Sequence, residues 1–248
     1  MEWSPTVAYC VGLITTDGCL ASDKRHIDFT SKDRELVEYV QACLGPQNQI
    51  CMKGRGRGPE RYFRIQLSNV RLDQWLCALG LTPRKSLTLG ALDIPDAVFA
   101  DFLRGCLDGD GSLIVYWDPI FPNSLHCYVR FNSASRPHVD WLQATVTRLV
   151  ALKGYQTNAT PRLRRLSYAK RDSLKLLKYL YYSDDLPCLR RKRRIMEQFL
   201  TDQAGVVKLA NTRVSEARAE RLGGSTPPLR TISFPTSEVS VAESMVLK

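Results

Sequence analysis

Asp17 and Asp110 are the residues in this 248-residue chain whose setting best suits them to chemistry. Each lies five residues beyond a glycine in an apolar run and directly before another glycine, so Gly12 leads to Asp17-Gly18 and Gly105 to Asp110-Gly111. A glycine inside a helical run costs roughly 1 kcal/mol relative to alanine, so it needs a packing reason. If the two runs lie face to face, Gly12 and Gly105 let their backbones approach, and the two carboxylates meet at the end of the pair. Paired carboxylates on a basic chain suit a hard divalent cation, whose chemistry includes phosphodiester hydrolysis. A calcium-loop reading of Asp108-Gly-Asp-Gly-Ser112 fails, because Leu113 falls where the loop needs glycine and Pro119 where it needs glutamate. The three histidines (26, 126, 138) are dispersed, and no Asp-x-Lys or Glu-x-Lys occurs, which argues against other common nuclease designs.

The elements that must hold these residues repeat in order. Ser4-Pro5 starts the first motif helix, which the pattern ends at Asp17. Strands at Cys19–Ala21 and Arg25–Thr30, a helix at Lys32–Leu44 capped by Ser31, and strands at Ile50–Lys53 and Arg61–Leu67 follow, with a helix from Asn69 to Leu79. The second half predicts a helix from Pro95-Asp96 to Asp110 and strands at Ser112–Trp117 and Cys127–Asn132. A helix at Pro137–Leu152, capped by Ser135 and ended by Gly154, comes next. Strands at Tyr155–Thr160 and Leu163–Tyr168, a helix capped by Asp172 through Tyr182 and a last helix at Arg190–Leu200 complete it. The expected division is 1–88, a linker at 89–94, and 95–203. The fold class is α+β: two pseudo-symmetric α-β-β-α-β-β-α repeats, with the motif helices paired at the interface.

A net charge of +10 and a pI near 9.3 suit a polyanionic partner. The exposed strand positions agree, carrying Lys53, Arg55, Arg57, Arg61, Arg64 and Gln66 in the first half and Arg130, Arg162 and Arg164 in the second. Two-stranded ribbons fit the major groove, so the sheets are expected to form a saddle on double-stranded DNA. The eight cysteines have no Cys-x-x-Cys spacing and read as reduced, mostly buried thiols. No apolar run reaches 18 residues and no signal-peptide pattern opens the chain, so neither a membrane span nor secretion is expected; the location is cytoplasmic or organellar.

Cys-Val-Gly-Leu-Ile-Thr-Thr-Asp-Gly (10–18) and Leu-Arg-Gly-Cys-Leu-Asp-Gly-Asp-Gly (103–111) resemble the paired signature of LAGLIDADG homing endonucleases of the two-repeat, single-chain type. The resemblance covers about residues 4–200, with Thr15 at the family's first acidic position. It implies a monomeric, site-specific endonuclease that cuts both strands, leaves 3′ overhangs and uses Mg²⁺ or Mn²⁺. By the same resemblance Asp17 and Asp110 are the metal ligands, and Thr30, Asn132, Lys85 and Lys192 surround them. Lys85 lies in Thr-Pro-Arg-Lys-Ser and Lys192 in Arg-Arg-Lys-Arg-Arg, so neighbouring arginines compete for either role. The alternative is a non-cutting nucleic-acid binder on the same scaffold, such as an intron-splicing maturase or a regulator.

Residues 204–248, rich in Ser, Thr, Pro and Gly, are expected to form a disordered tail. Gly223–Pro228 can be encoded as a G-run, a TTCGACT loop and a complementary C-run, which resembles the T-arm of a tRNA. The expectation is a reading frame running through a neighbouring leucine tRNA gene.

Overall fold

The computed structural model describes residues 1–54, 60–121 and 124–203. Arg55, Arg57 and the whole of the 204–248 tail lie outside the described residues. The elements are α1 (Pro5–Asp17), β1 (Gly18–Leu20), β2 (His26–Ser31), α2 (Arg34–Leu44), β3 (Ile50–Gly54), β4 (Glu60–Ser68) and α3 (Val70–Ala78). The second half runs α4 (Phe99–Asp108), β5 (Ser112–Trp117), β6 (Leu125–Ser133), α5 (Arg136–Val150), β7 (Tyr155–Thr160), β8 (Leu163–Ala169) and α6 (Arg171–Leu180), then a helix α7 over residues 190–203. Two four-stranded antiparallel sheets result, with orders β1-β2-β4-β3 and β5-β6-β8-β7. The identical order in both halves is the duplication predicted from the sequence.

One face of each sheet is apolar. On β2, Ile27, Phe29 and Ser31 are buried while His26, Asp28 and Thr30 point the other way. On β6, Cys127, Val129 and Phe131 are buried, and they alternate with His126, Tyr128, Arg130 and Asn132. Helices cover the apolar faces, and α1 and α4 run through the middle of the molecule. Every residue of α1 from Ala8 to Thr15 is buried, as is all of α4. Along α1 this burial leaves no exposed polar stripe, and on α4 the buried Arg104 donates to the buried Asp101 at 2.6 Å, so the stability of both helices comes from tertiary packing. Truncating a side chain such as Leu13 or Phe102, both at 0% exposure, would cost about 2–5 kcal/mol.

Several boundaries differ from the sequence expectation. The second motif helix ends at Asp108, before Asp110, because Gly109 closes it with its N–H on the Gly105 carbonyl. Residues Asp96–Val98 form a 3₁₀ turn ahead of it. Ser31 does not cap α2; its hydroxyl accepts from the Asp33 N–H at 3.1 Å, and Asp33 occupies the cap. Ser135 occupies the cap position of α5 as expected, but its hydroxyl donates to the Leu89 carbonyl, which ties α5 to the inter-repeat segment. Ala151 ends α5 in a left-handed conformation (φ 57°), and Gly154 (φ 60°) turns the chain into β7. Lys170, at φ 51°, precedes α6 where Asp172 was expected. Four of the eight cysteines are buried (10, 106, 127, 188) rather than most of them, and all are free thiols.

Candidate nucleic-acid and metal site

The site begins where α1 crosses α4. A Cβ on Gly12 would run into the Phe102 carbonyl oxygen and lie 3.0 Å from the Gly105 Cα. A Cβ on Gly105 would meet the Tyr9 carbonyl oxygen and, at 3.0 Å, the Gly12 Cα. The two glycines therefore face each other, and only their missing side chains allow the helices to touch through backbone. Thr15, at the place of the second repeat's Asp108, returns its hydroxyl to the Val11 carbonyl at 2.7 Å. Asp108 is itself fully buried, and one of its oxygens accepts from the Tyr9 hydroxyl at 2.8 Å and from the Leu189 N–H at 2.7 Å.

Beyond the crossing the chain doubles back at both motif ends. A Cβ on Gly109 would lie 3.0 Å from an Asp17 carboxylate oxygen, which shows how closely the two motif ends approach. Asp17 and Asp110 line one cleft of about 410 Å³ together with Thr30, Lys32, Asp33, Tyr62 and Arg191. Asp110 also borders a smaller cleft of about 180 Å³ whose walls include Thr15, Lys85, Asn132 and His138. Burial raises the Asp17 pKa to about 7, and the neighbouring Asp110 charge adds to the rise. Burial raises Asp110 as well, although its side chain reaches solvent. Lys192 and Lys85 pull both carboxyls back toward ionisation.

The two lysines are placed alike. The Lys85 Nζ donates to the carbonyl of Gly18, the residue after Asp17. The Lys192 Nζ donates to the carbonyl of Gly111, the residue after Asp110, at 2.8 Å, to that of Asp108 at 3.1 Å and to that of Leu107. Lys85 is 7% exposed and Lys192 is 0% exposed, and burial lowers both pKa values, that of Lys192 to about 8. The flanking arginines turn elsewhere: Arg191 forks onto Asp33 at 2.9 and 3.1 Å, and Arg193 binds Asp184 and Glu197. Lys192 is the basic residue of this run whose side chain bonds the carbonyls around Asp110.

The strand registers sort the expected DNA contacts. Lys53 pairs with Tyr62, Arg64 with Thr30, and Gln66 with Asp28, so Lys53, Arg64 and Gln66 share the open face of the first sheet with Thr30. Arg61 has the opposite parity and is exposed at the end of β4. In the second sheet Arg130 and Asn132 face outward, and Arg162 lies in the exposed β7–β8 turn. Arg164 departs from the expectation. It pairs with Ser133, on the helix side, whereas Arg165 pairs with Asn132 on the open face. Sequence reasoning missed Arg165, and it missed a stack of Tyr116, His126 and Tyr128 whose ring centroids lie 5.2–6.3 Å apart. The Arg130 guanidinium sits 5.0 Å from the centroid of the Tyr128 ring.

No family model matches the chain, and no curated protein matches it. Solved structures do, and they define the class: the chain has the two-repeat LAGLIDADG fold. Among them, the LAGLIDADG meganuclease I-AabMI bound to uncleaved DNA is 16% identical over 85% of this chain and 92% of that one, with a TM-score of 0.55. The homing endonuclease I-DmoI in complex with DNA and Ca is 13% identical, covering 78% and 97%, with a TM-score of 0.52. Full-length DUF199/WhiA from Thermatoga maritima is 14% identical, covering 88% and 71%, with a TM-score of 0.51. Identities this low establish the fold alone.

Proposed function

We propose that the chain is a site-specific DNA endonuclease that hydrolyses both strands with a divalent metal, Mg²⁺ or Mn²⁺. The observation that carries this reading is the pair Asp17 and Asp110, forced together by the Gly12–Gly105 crossing and flanked by two buried lysines. Two neighbouring carboxyls that burial holds above their ordinary pKa, with the Asp110 charge raising Asp17 further, are an arrangement a cation relieves, so the residues present fit a hard metal ion. Among the described residues no group of three or more His, Cys, Asp or Glu gathers around a common point. The chain would therefore supply the two aspartates, leaving water and phosphate oxygens to complete the shell. When bound, the metal supplies an activated water and neutralises charge on the phosphate.

The protein's own groups do the rest. Lys85 and Lys192 fix the backbone around each aspartate and place positive charge beside the bound phosphate. Thr30 and Asn132 stand at the ends of β2 and β6, one on each side. The open faces of the two sheets, with Lys53, Arg64, Gln66 and Arg130, hold the duplex. We read residues 1–88 and 95–203 as the two halves of one monomeric DNA-binding surface. I-AabMI and I-DmoI, both solved with DNA, share this fold and support the reading. WhiA shares it too, and that likeness keeps the non-cutting binder as the second reading. The test is incubation with DNA spanning the chain's own empty insertion locus in Mg²⁺ and then in EDTA. Metal-dependent double-strand breaks at one site support the nuclease; tight binding without a break in Mg²⁺ or Mn²⁺ supports the binder.

A further inference from the structure

The repeats match in backbone but not in the side chains beside each aspartate. In the second, the Arg165 Nε donates to the Asn132 Oδ1 at 3.1 Å, and the Asn132 Nδ2 donates to the Asp110 carbonyl at 3.1 Å. Arg165 thus holds Asn132, and Asn132 holds the loop that carries a metal-site carboxylate. In the first repeat the register places Arg64 opposite Thr30 as Arg165 is opposite Asn132. Yet Arg64 turns away to Asp28, with its Nε at 2.7 Å and a terminal nitrogen at 2.5 Å. Arg130, at the matching place in the second repeat, offers no carboxylate to draw Arg165 away, since Ser112 and Ser167 are its partners across the sheet.

We propose that Arg165 is a positioning residue for the Asp110 half of the site, and that the two DNA strands are cut unequally, the strand served by Asp110 first. The proposal rests on the nuclease reading. Small displacements of a reacting group cost large factors in rate, so one prearranged half and one looser half cannot run at equal speed.

The test uses the full chain at saturating concentration on a duplex selected for binding from a randomised library, with the two strands labelled separately and Mg²⁺ added to start a single turnover. Wild type should cut one strand faster. Arg165→Ala should slow that strand by roughly tenfold or more and leave the other within about twofold, so nicked product accumulates on the opposite strand. Arg165→Lys, which keeps one donor for the Asn132 Oδ1, should recover part of the loss. Arg64→Ala should weaken binding and leave the strand ratio unchanged, which separates positioning from general phosphate contact. Equal slowing of both strands by Arg165→Ala in a folded protein, or equal strand rates in wild type, overturns the proposal alone. Failure of wild type to cut any bound duplex in Mg²⁺ or Mn²⁺ overturns the nuclease reading and this inference with it.

Discussion

Replacing Asp17 by asparagine should end cleavage and at the same time make the metal-free protein more stable above neutral pH. The Asp17 carboxyl titrates near 7 in the fold against an ordinary 3.8, chiefly because it is buried. A folded pKa above the unfolded one means that the fold prefers the protonated acid. This contribution is present below about pH 4 and is lost as the pH rises through about 7. The full displacement is worth at most about 4 kcal/mol. Asp17 keeps some contact with solvent, so we expect roughly 1–2 kcal/mol after screening. For a fold of this size that is a rise of roughly 4 °C in melting temperature at pH 8.5. Wild type in EDTA should therefore lose more stability between pH 5.5 and 8.5 than Asp17→Asn does. Asp110, Lys85 and Lys192 titrate in both proteins, and the Asp17 charge helps hold the two lysines protonated, so the difference between the two slopes reads Asp17 together with that coupling. Thermal melts at both pH values are the assay. A variant that melts below wild type at pH 8.5, or equal pH slopes in the two proteins, would refute the view that this carboxyl is held against its own preference.

The other expectations are more direct. Asp110→Asn should abolish cleavage and spare binding, because it removes a ligand and leaves the basic faces intact; normal cutting by both aspartate variants would show the site to be elsewhere. Gly105→Ala should cost about 1–3 kcal/mol and most of the cleavage, because the new methyl meets the Tyr9 carbonyl; a melt unchanged from wild type would contradict the backbone contact. DNA affinity should fall steeply with salt as phosphate neutralisation releases counterions, whereas a flat response in gel-shift titrations would argue against an extended saddle. Truncation after Asp202 should leave cutting intact; lost activity would give residues 204–248 a role that the read-through idea denies, and a nucleotide sequence without a cloverleaf over codons 204–231 would end that idea.

The sequence exposed the motif helices because a glycine in an apolar run and an aspartate after it are each costly without a partner, and the cost recurs twice. The order of elements was legible for the same reason, through alternation on β2 and β6 and the apolar stripes of α2 and α5. The face of β8 was not. Leu163-Arg164-Arg165-Leu166 carries basic residues at both parities, and only the pairing with β6, Arg165 opposite Asn132 and Arg164 opposite Ser133, decides which one faces out. Helix ends were less legible: Ser31 accepts from the N–H of Asp33 two residues on and leaves the cap to it, and Ser135, although it sits at the start of α5 as expected, gives its hydroxyl to the distant Leu89 carbonyl. The lysines were legible by resemblance, but only tertiary structure separates Lys192 from its four arginine neighbours.

The reach of those lysines bears on when the protein can act. Lys85 closes on a carbonyl 67 positions back in the chain, and Lys192 on one 81 positions back. During synthesis each aspartate emerges long before the group that secures its loop, and the second lysine arrives on the last described helix. A partly made or half-unfolded chain carries both acids without the fixed backbone around them. On the nuclease reading, cutting power is then tied to completion of the whole fold, which would keep immature copies harmless to the genome that encodes them.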